Sequence, residues 1–210
     1  MHASEANARG ATAGRTALRL SSGGATLEFT WVGDRWAHRV FPSSAGPSVG
    51  PSAPATDWRS IEGELDPADD PRWPASPVLV ELSRVALTPV DAASQPPRAA
   101  GERPSALVGV GLAGRSHYSA SIAADPGRTD AFRVEIACRL QEPPPWLGST
   151  YRCGSRLIRL TVVDAARSLP ATVLWSYSIG PAGIVAVRGV TVSETGEAPP
   201  PATPGPAPGP

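Results

Sequence analysis

Apolar residues recur at every second position through many short stretches of this chain, and Gly, Pro and Asp punctuate the stretches. Alternation with period two sends successive side chains to opposite faces of a strand, so the pattern predicts a nearly all-β protein. The predicted strands are Ala17 to Ser22, Thr26 to Val32, Arg35 to Phe41, Val78 to Leu87, Ala106 to Leu112, Ser116 to Ala123, Ala131 to Leu140, Arg156 to Val163, Thr172 to Ile179 and Ile184 to Val192. Ten strands suit two packed sheets. The expected fold is an antiparallel β-sandwich of jelly-roll or mutarotase-like type, with a long Pro/Gly-rich loop and disordered termini.

The hairpin TLEFTWVGDRWAHRVF fixes its own register. With Gly33 and Asp34 as a two-residue type II′ turn, facing residues have numbers summing to 67. Leu27 then meets Val40, Phe29 meets His38 and Trp31 meets Trp36 on one face, while Glu28 meets Arg39 and Thr30 meets Ala37 on the other. The aromatic face reads as core rather than as a sugar-stacking platform, and the ion-pair face suits water. His38 accordingly reads as a hydrogen-bonded core histidine. Trp175, Tyr177 and Ile179 form a second stripe that reads as core.

The run GVGLAG, Gly109 to Gly114, matches the letters of a dinucleotide fingerprint. That chemistry needs the glycines to open into a helix whose N-terminal amides hold a pyrophosphate. The residues that follow, RSHYSASIAADPG, alternate like a strand and reach a turn at Asp125-Pro126-Gly127. The glycines therefore read as tight turning or close backbone approach within a sheet.

In AFRVEIACRL, Phe132, Val134, Ile136, Cys138 and Leu140 alternate with Arg133, Glu135 and Arg139. Pairing this strand with Ser116 to Ala123 at a residue sum of about 254 keeps the apolar faces together and leaves a seven-residue connection. Ser119 would face Glu135, Ser121 would face Arg133 and Arg115 would face Arg139, with His117 diagonal to Glu135 and within reach. One polar sheet face would thus hold Arg115, His117, Ser119, Arg133, Glu135 and Arg139, the candidate ligand-binding residues. His117 and Glu135 would be a candidate acid/base pair. Near this strip in sequence, EPPPWLGSTYRC offers Trp146 as a further ligand-binding candidate at a pocket rim, although a packed connection is the favoured reading.

Composition narrows the chemistry. The chain has 210 residues, enough for one well-buried domain, with 19 basic and 19 acidic side chains and no lysine. No segment concentrates one sign, so neither nucleic acid nor a membrane is an expected partner. No apolar run matches a membrane helix and the start lacks a signal core, which makes the cytoplasm the expected location. Cys138 and Cys153 are too few for a disulfide framework, and with His2, His38 and His117 they show no metal-ligand spacing, so neither metal nor cofactor is expected. Cys138 reads as a buried structural thiol.

Residues 1–16 form a polar segment, 17–193 the sandwich domain and 194–210 a proline-rich tail, with a long Pro/Gly/Ser-rich insertion at 42–77. The insertion leaves room for a short strand near Ser60 to Glu64, and Trp58 and Trp73 are candidates to pin it to the body. Its acidic run DPADD, Asp66 to Asp70, lacks calcium-loop spacing and reads as a solvated turn. The tail's PxxP spacing reads as a spacer rather than a groove ligand.

The segments GDRWAH, GRSHYS and LGSTYR resemble those of small uncharacterised bacterial all-β proteins with no assigned activity. That resemblance implies a recurring fold and carries no catalytic residue. With no nucleophile motif or phosphate loop in the chain, the expected function is a noncatalytic binding or interaction module for a carbohydrate or protein partner. The alternative is a carbohydrate-active, epimerase or mutarotase-like enzyme using His117 and Glu135.

Overall fold

The computed structural model describes residues 15–43, 57–61, 74, 76–87, 104–163 and 168–196. These residues form two antiparallel sheets packed face to face, a β-sandwich. In one sheet lie β1 (Leu18–Ser22), β2 (Ala25–Val32), β3 (Arg35–Pro42), β4 (Trp58–Ser60), β9 (Gly148–Cys153), β10 (Arg156–Val162) and β13 (Val190–Gly196), in that spatial order. The other runs β12 (Gly183–Arg188), β11 (Ala171–Gly180), β8 (Phe132–Leu140), β7 (Ser116–Ala124), β6 (Ser105–Ala113) and β5 (Glu81–Ala86). Among the described residues no helix is long and apolar enough to cross a membrane.

Alternation places the core. Phe132, Val134, Ile136, Cys138 and Leu140 all point between the sheets and are buried, as are Trp175, Tyr177 and Ile179 on β11. From the seven-stranded sheet come Leu27, Phe29, Trp36 and Val40, with Trp31 partly buried beside them, so both aromatic stripes are core. The β2–β3 register is the one the sequence dictates, with Phe29 opposite His38 and Trp31 opposite Trp36. Gly33 has φ 69° and Asp34 does not have positive φ, as a type II′ turn requires.

The glycines of GVGLAG belong to β6 and its turn. A Cβ on Gly111 would lie 1.6 Å from the carbonyl oxygen of Val78, and one on Gly109 would lie 3.0 Å from the Leu82 side chain. The segment before β5 crosses beneath β6 at this point, tied by Trp36 N–H to Leu79 C=O (2.8 Å) and Val80 N–H to Val110 C=O (2.9 Å). Close backbone approach, not a phosphate, explains these glycines.

Four expectations need correction. The insertion contains β4, which begins two residues before the expected Ser60 to Glu64 segment, and Trp58 anchors it in the core. Trp73 and Asp66 to Asp70 lie outside the described residues, as do most of the two termini. GSTYRC is itself a strand, β9. Ile184 to Val192 is two strands in different sheets, because Gly189 (φ 69°) turns the chain from β12 into β13. Glu194 belongs to β13 rather than to the tail, opposite Ile158, and its carboxylate accepts from Arg156 Nε at 2.5 Å.

Candidate functional site

Beside the polar groups of the sandwich interior, the described residues line only a small cavity. His38 Nε2 and Tyr151 Oη lie 2.8 Å apart, and Tyr151 Oη and Tyr177 Oη 2.6 Å apart, so three strands are stitched through the core. The neighbouring cavity measures about 20 Å³, which admits a single water. Cys138 and Cys153 are both buried and are not joined in a disulfide, and burial pushes the Cys138 pKa up to about 12. A thiol so shifted stays protonated and unreactive at neutral pH.

The outer face of the six-stranded sheet is different. An open groove of about 770 Å³ crosses it, within the size range of ligand sites. Its floor follows from the registers. One row across the sheet reads Ser83, Val108, Ser121, Glu135, Ser176 and Arg188, each opposite the next on the neighbouring strand. The adjacent row reads Glu81, Val110, Ser119, Ala137 and Leu174. Ser119 and Ala137 at the centre of the second row, with Ser121 and Ser176 on either side of Glu135 in the first, keep the face low between Val108, Val110 and Leu174. Val108, Val110 and Leu174 stand exposed along the walls.

Glu135 lies at the centre, exposed, with Ser121 opposite on β7 and Ser176 opposite on β11. Directly opposed residues keep their Cβ atoms about 4.5–5.5 Å apart, which sets both hydroxyls beside the carboxylate. Among the described residues no ion pair or hydrogen bond engages the Glu135 side chain. Arg188 continues the row on the edge strand.

The sequence placed this polar strip on one face but misaligned it. Residue numbers across β7 and β8 sum to 256, so Ser119 faces Ala137, Ser121 faces Glu135, Ala123 faces Arg133 and His117 faces Arg139. The connection keeps seven residues but sits one position later, closed by Asp125 N–H to Ala131 C=O (2.9 Å), with the Asp125 carboxylate accepting from Gly127 N–H (2.9 Å). The expected diagonal contact of His117 with Glu135 is therefore not formed. His117 lies four positions along β7 from Ser121, the residue opposite Glu135, about 13 Å along the strand.

The remaining candidates divide. Arg139 and His117 line a second depression of about 520 Å³ that shares Glu81, Val110, Ser119 and Ala137 with the first. Arg133 turns to the buried Asp125 carboxylate at 3.2 Å. Arg115 sits in the β6–β7 turn, its backbone N–H donating to Glu142 at 3.3 Å. Trp146 packs against the core at the start of β9, away from both depressions. Sequence reasoning missed Glu81, Val108, Val110, Leu174, Ser176 and Arg188. Ser176, polar between Trp175 and Tyr177, carried a usable alternation signal; the others depend on which strands are neighbours.

Among the described residues no group of three or more His, Cys, Asp or Glu is placed to hold a metal ion. No family model matches the chain, and neither a curated protein nor a solved structure does.

Proposed function

We propose that this chain is a noncatalytic binding module that takes a carbohydrate in the outer groove of its six-stranded sheet. The observation that carries this reading is Glu135, a carboxylate with no described partner at the centre of the groove, flanked by Ser121 and Ser176. A carboxylate accepts from two neighbouring ring hydroxyls through charge-assisted hydrogen bonds, and serine hydroxyls both donate and accept. The exposed valines and Leu174 complement the C–H faces of a sugar ring.

The spacing of the acids supports binding over hydrolysis. Glu81 and Glu135, the two acidic residues lining the groove, are rooted on strands three spacings apart, about 14 Å between their backbones. Glycoside hydrolysis by paired carboxylates uses separations of about 5–9.5 Å.

Calorimetric titration of the purified protein with neutral and acidic oligosaccharides tests the proposal. Glu135→Gln is expected to weaken binding about tenfold or more, the equivalent of a charge-assisted hydrogen bond. Ser121→Tyr, which fills the floor, is expected to abolish it. Silence toward every saccharide, or equal affinity in wild type and both variants, refutes the site; turnover of a bound saccharide refutes the noncatalytic reading.

A further inference from the structure

Resting on that reading of the groove, we infer that the depression around His117 and Arg139 is an anion subsite, and that the ligand is an acidic oligosaccharide lying along the strands. The two depressions are continuous, since Glu81, Val110, Ser119 and Ala137 line both. Both hold Glu81; the first adds Glu135 and Arg188, and the second adds His117 and Arg139. Around Glu135 the floor offers a carboxylate and hydroxyls, which suit neutral donors. In the second depression two basic side chains oppose each other across β7 and β8, with Leu112 opposite His117 and Thr172 opposite Arg139.

Arg139 is exposed, and its one described contact is Nη1 donating to Thr172 Oγ1 at 3.3 Å. That contact occupies one of five guanidinium donors, so a fork for a carboxylate or sulfate remains available. Thr172 lines the same depression and holds the guanidinium there. The charged groups nearby are Arg115 and Glu142 at the β6–β7 turn and Glu81 on β5. Glu135 lies about 13 Å away along the strands, beyond the screening length of about 8 Å at physiological ionic strength, so it does not cancel the Arg139 charge. The same separation exceeds one sugar ring. A ligand that reaches both ends must be an oligosaccharide, anchored by hydroxyls at Glu135 and by an anionic group at Arg139.

Tetragalacturonate, its fully methyl-esterified form and a tetraglutamate peptide separate the possibilities, because esterification removes charge and keeps the rings. The full chain is expected to bind tetragalacturonate at least tenfold more tightly than the ester at low salt, and added sodium chloride should shrink the difference. Arg139→Gln should erase the preference by bringing uronate affinity down to that of the ester. Equal affinity for acid and ester, or a preference that survives Arg139→Gln, overturns the anion subsite and leaves the groove reading standing. Peptide binding as tight as the uronate overturns the saccharide assignment. Failure of both saccharides to bind refutes the groove reading and this inference together.

Discussion

Two glutamates face outward from the two sheets of this protein, and their surroundings are opposite. Glu28 on β2 is only 5% exposed at its side chain, clamped between Arg19 on β1 and Arg39 on β3. Arg19 Nε donates to one carboxylate oxygen at 2.6 Å and Arg39 Nε to the other at 2.8 Å. Glu135 on β8 is exposed among serines and has no described partner. The first carboxylate is committed to holding three strands of its own sheet together; the second has acceptor capacity that no described residue uses. Equal position on a sheet face thus tells little about function. What matters is whether the cross-strand neighbours already satisfy the group.

The largest expected effect attacks the support of the Glu135 face from beneath. Gly111→Val drives a side chain into the Val78 carbonyl, where even a Cβ would sit at 1.6 Å. Overpacking of this kind costs about 3 kcal/mol, and urea denaturation should show it; an unchanged midpoint would mean that the crossing segment yields freely.

Breaking the clamp comes next. Glu28→Ala removes two charge-assisted hydrogen bonds and leaves Arg19 and Arg39 without their shared counterion, a loss of about 2 kcal/mol, or roughly 5 °C in Tm. Burial alone would raise the Glu28 pKa, but the hydrogen bonds and charges of Arg19 and Arg39 outweigh it and hold the group below its ordinary 4.5. A depressed folded pKa stabilises above the unfolded value, and that stabilisation disappears as pH falls through the folded one. The wild type and Glu28→Ala stability curves should therefore differ most above pH 4.5 and converge in stronger acid. A constant gap across that range would show that ionisation of Glu28 is not the source.

The smallest effect sharpens the contrast. Glu135→Gln should leave stability within about 0.5 kcal/mol of wild type, since it removes no described contact. A loss comparable to that of Glu28→Ala would make Glu135 a structural residue and end its candidacy as a ligand group.

Most of the fold was legible because most strands bury one face and wet the other. β8 shows it: five inward residues, Phe132 to Leu140, alternate with Arg133, Glu135 and Arg139. β9 hid because only Arg152 of its six residues is exposed, too little to show an alternation. Ser149, Thr150 and Tyr151 are all buried, and Ser76 crosses over to accept from Thr150 N–H (2.9 Å) and donate to its carbonyl (3.0 Å). β4 hid because three residues are too few to show a period. Of the site, the sequence showed that His117, Ser119, Glu135 and Arg139 share a face. A turn centred one residue later moved His117 away from Glu135 and set Ser121 there instead.

By itself, then, the sequence determined the local quantities: strand periodicity, the β2–β3 turn with its register, the buried aromatic stripes and the polar side of β7 and β8. Each depends on residues close in the chain, where backbone geometry links position to direction. Only the tertiary structure decided that β5 and β6 flank β7 while β11 and β12 flank β8, and so brought Ser83, Val108, Ser176 and Arg188 into one row with Glu135. Strand order is a long-range choice, set by how two sheets close around a shared core, and no local alternation encodes which polar faces will meet.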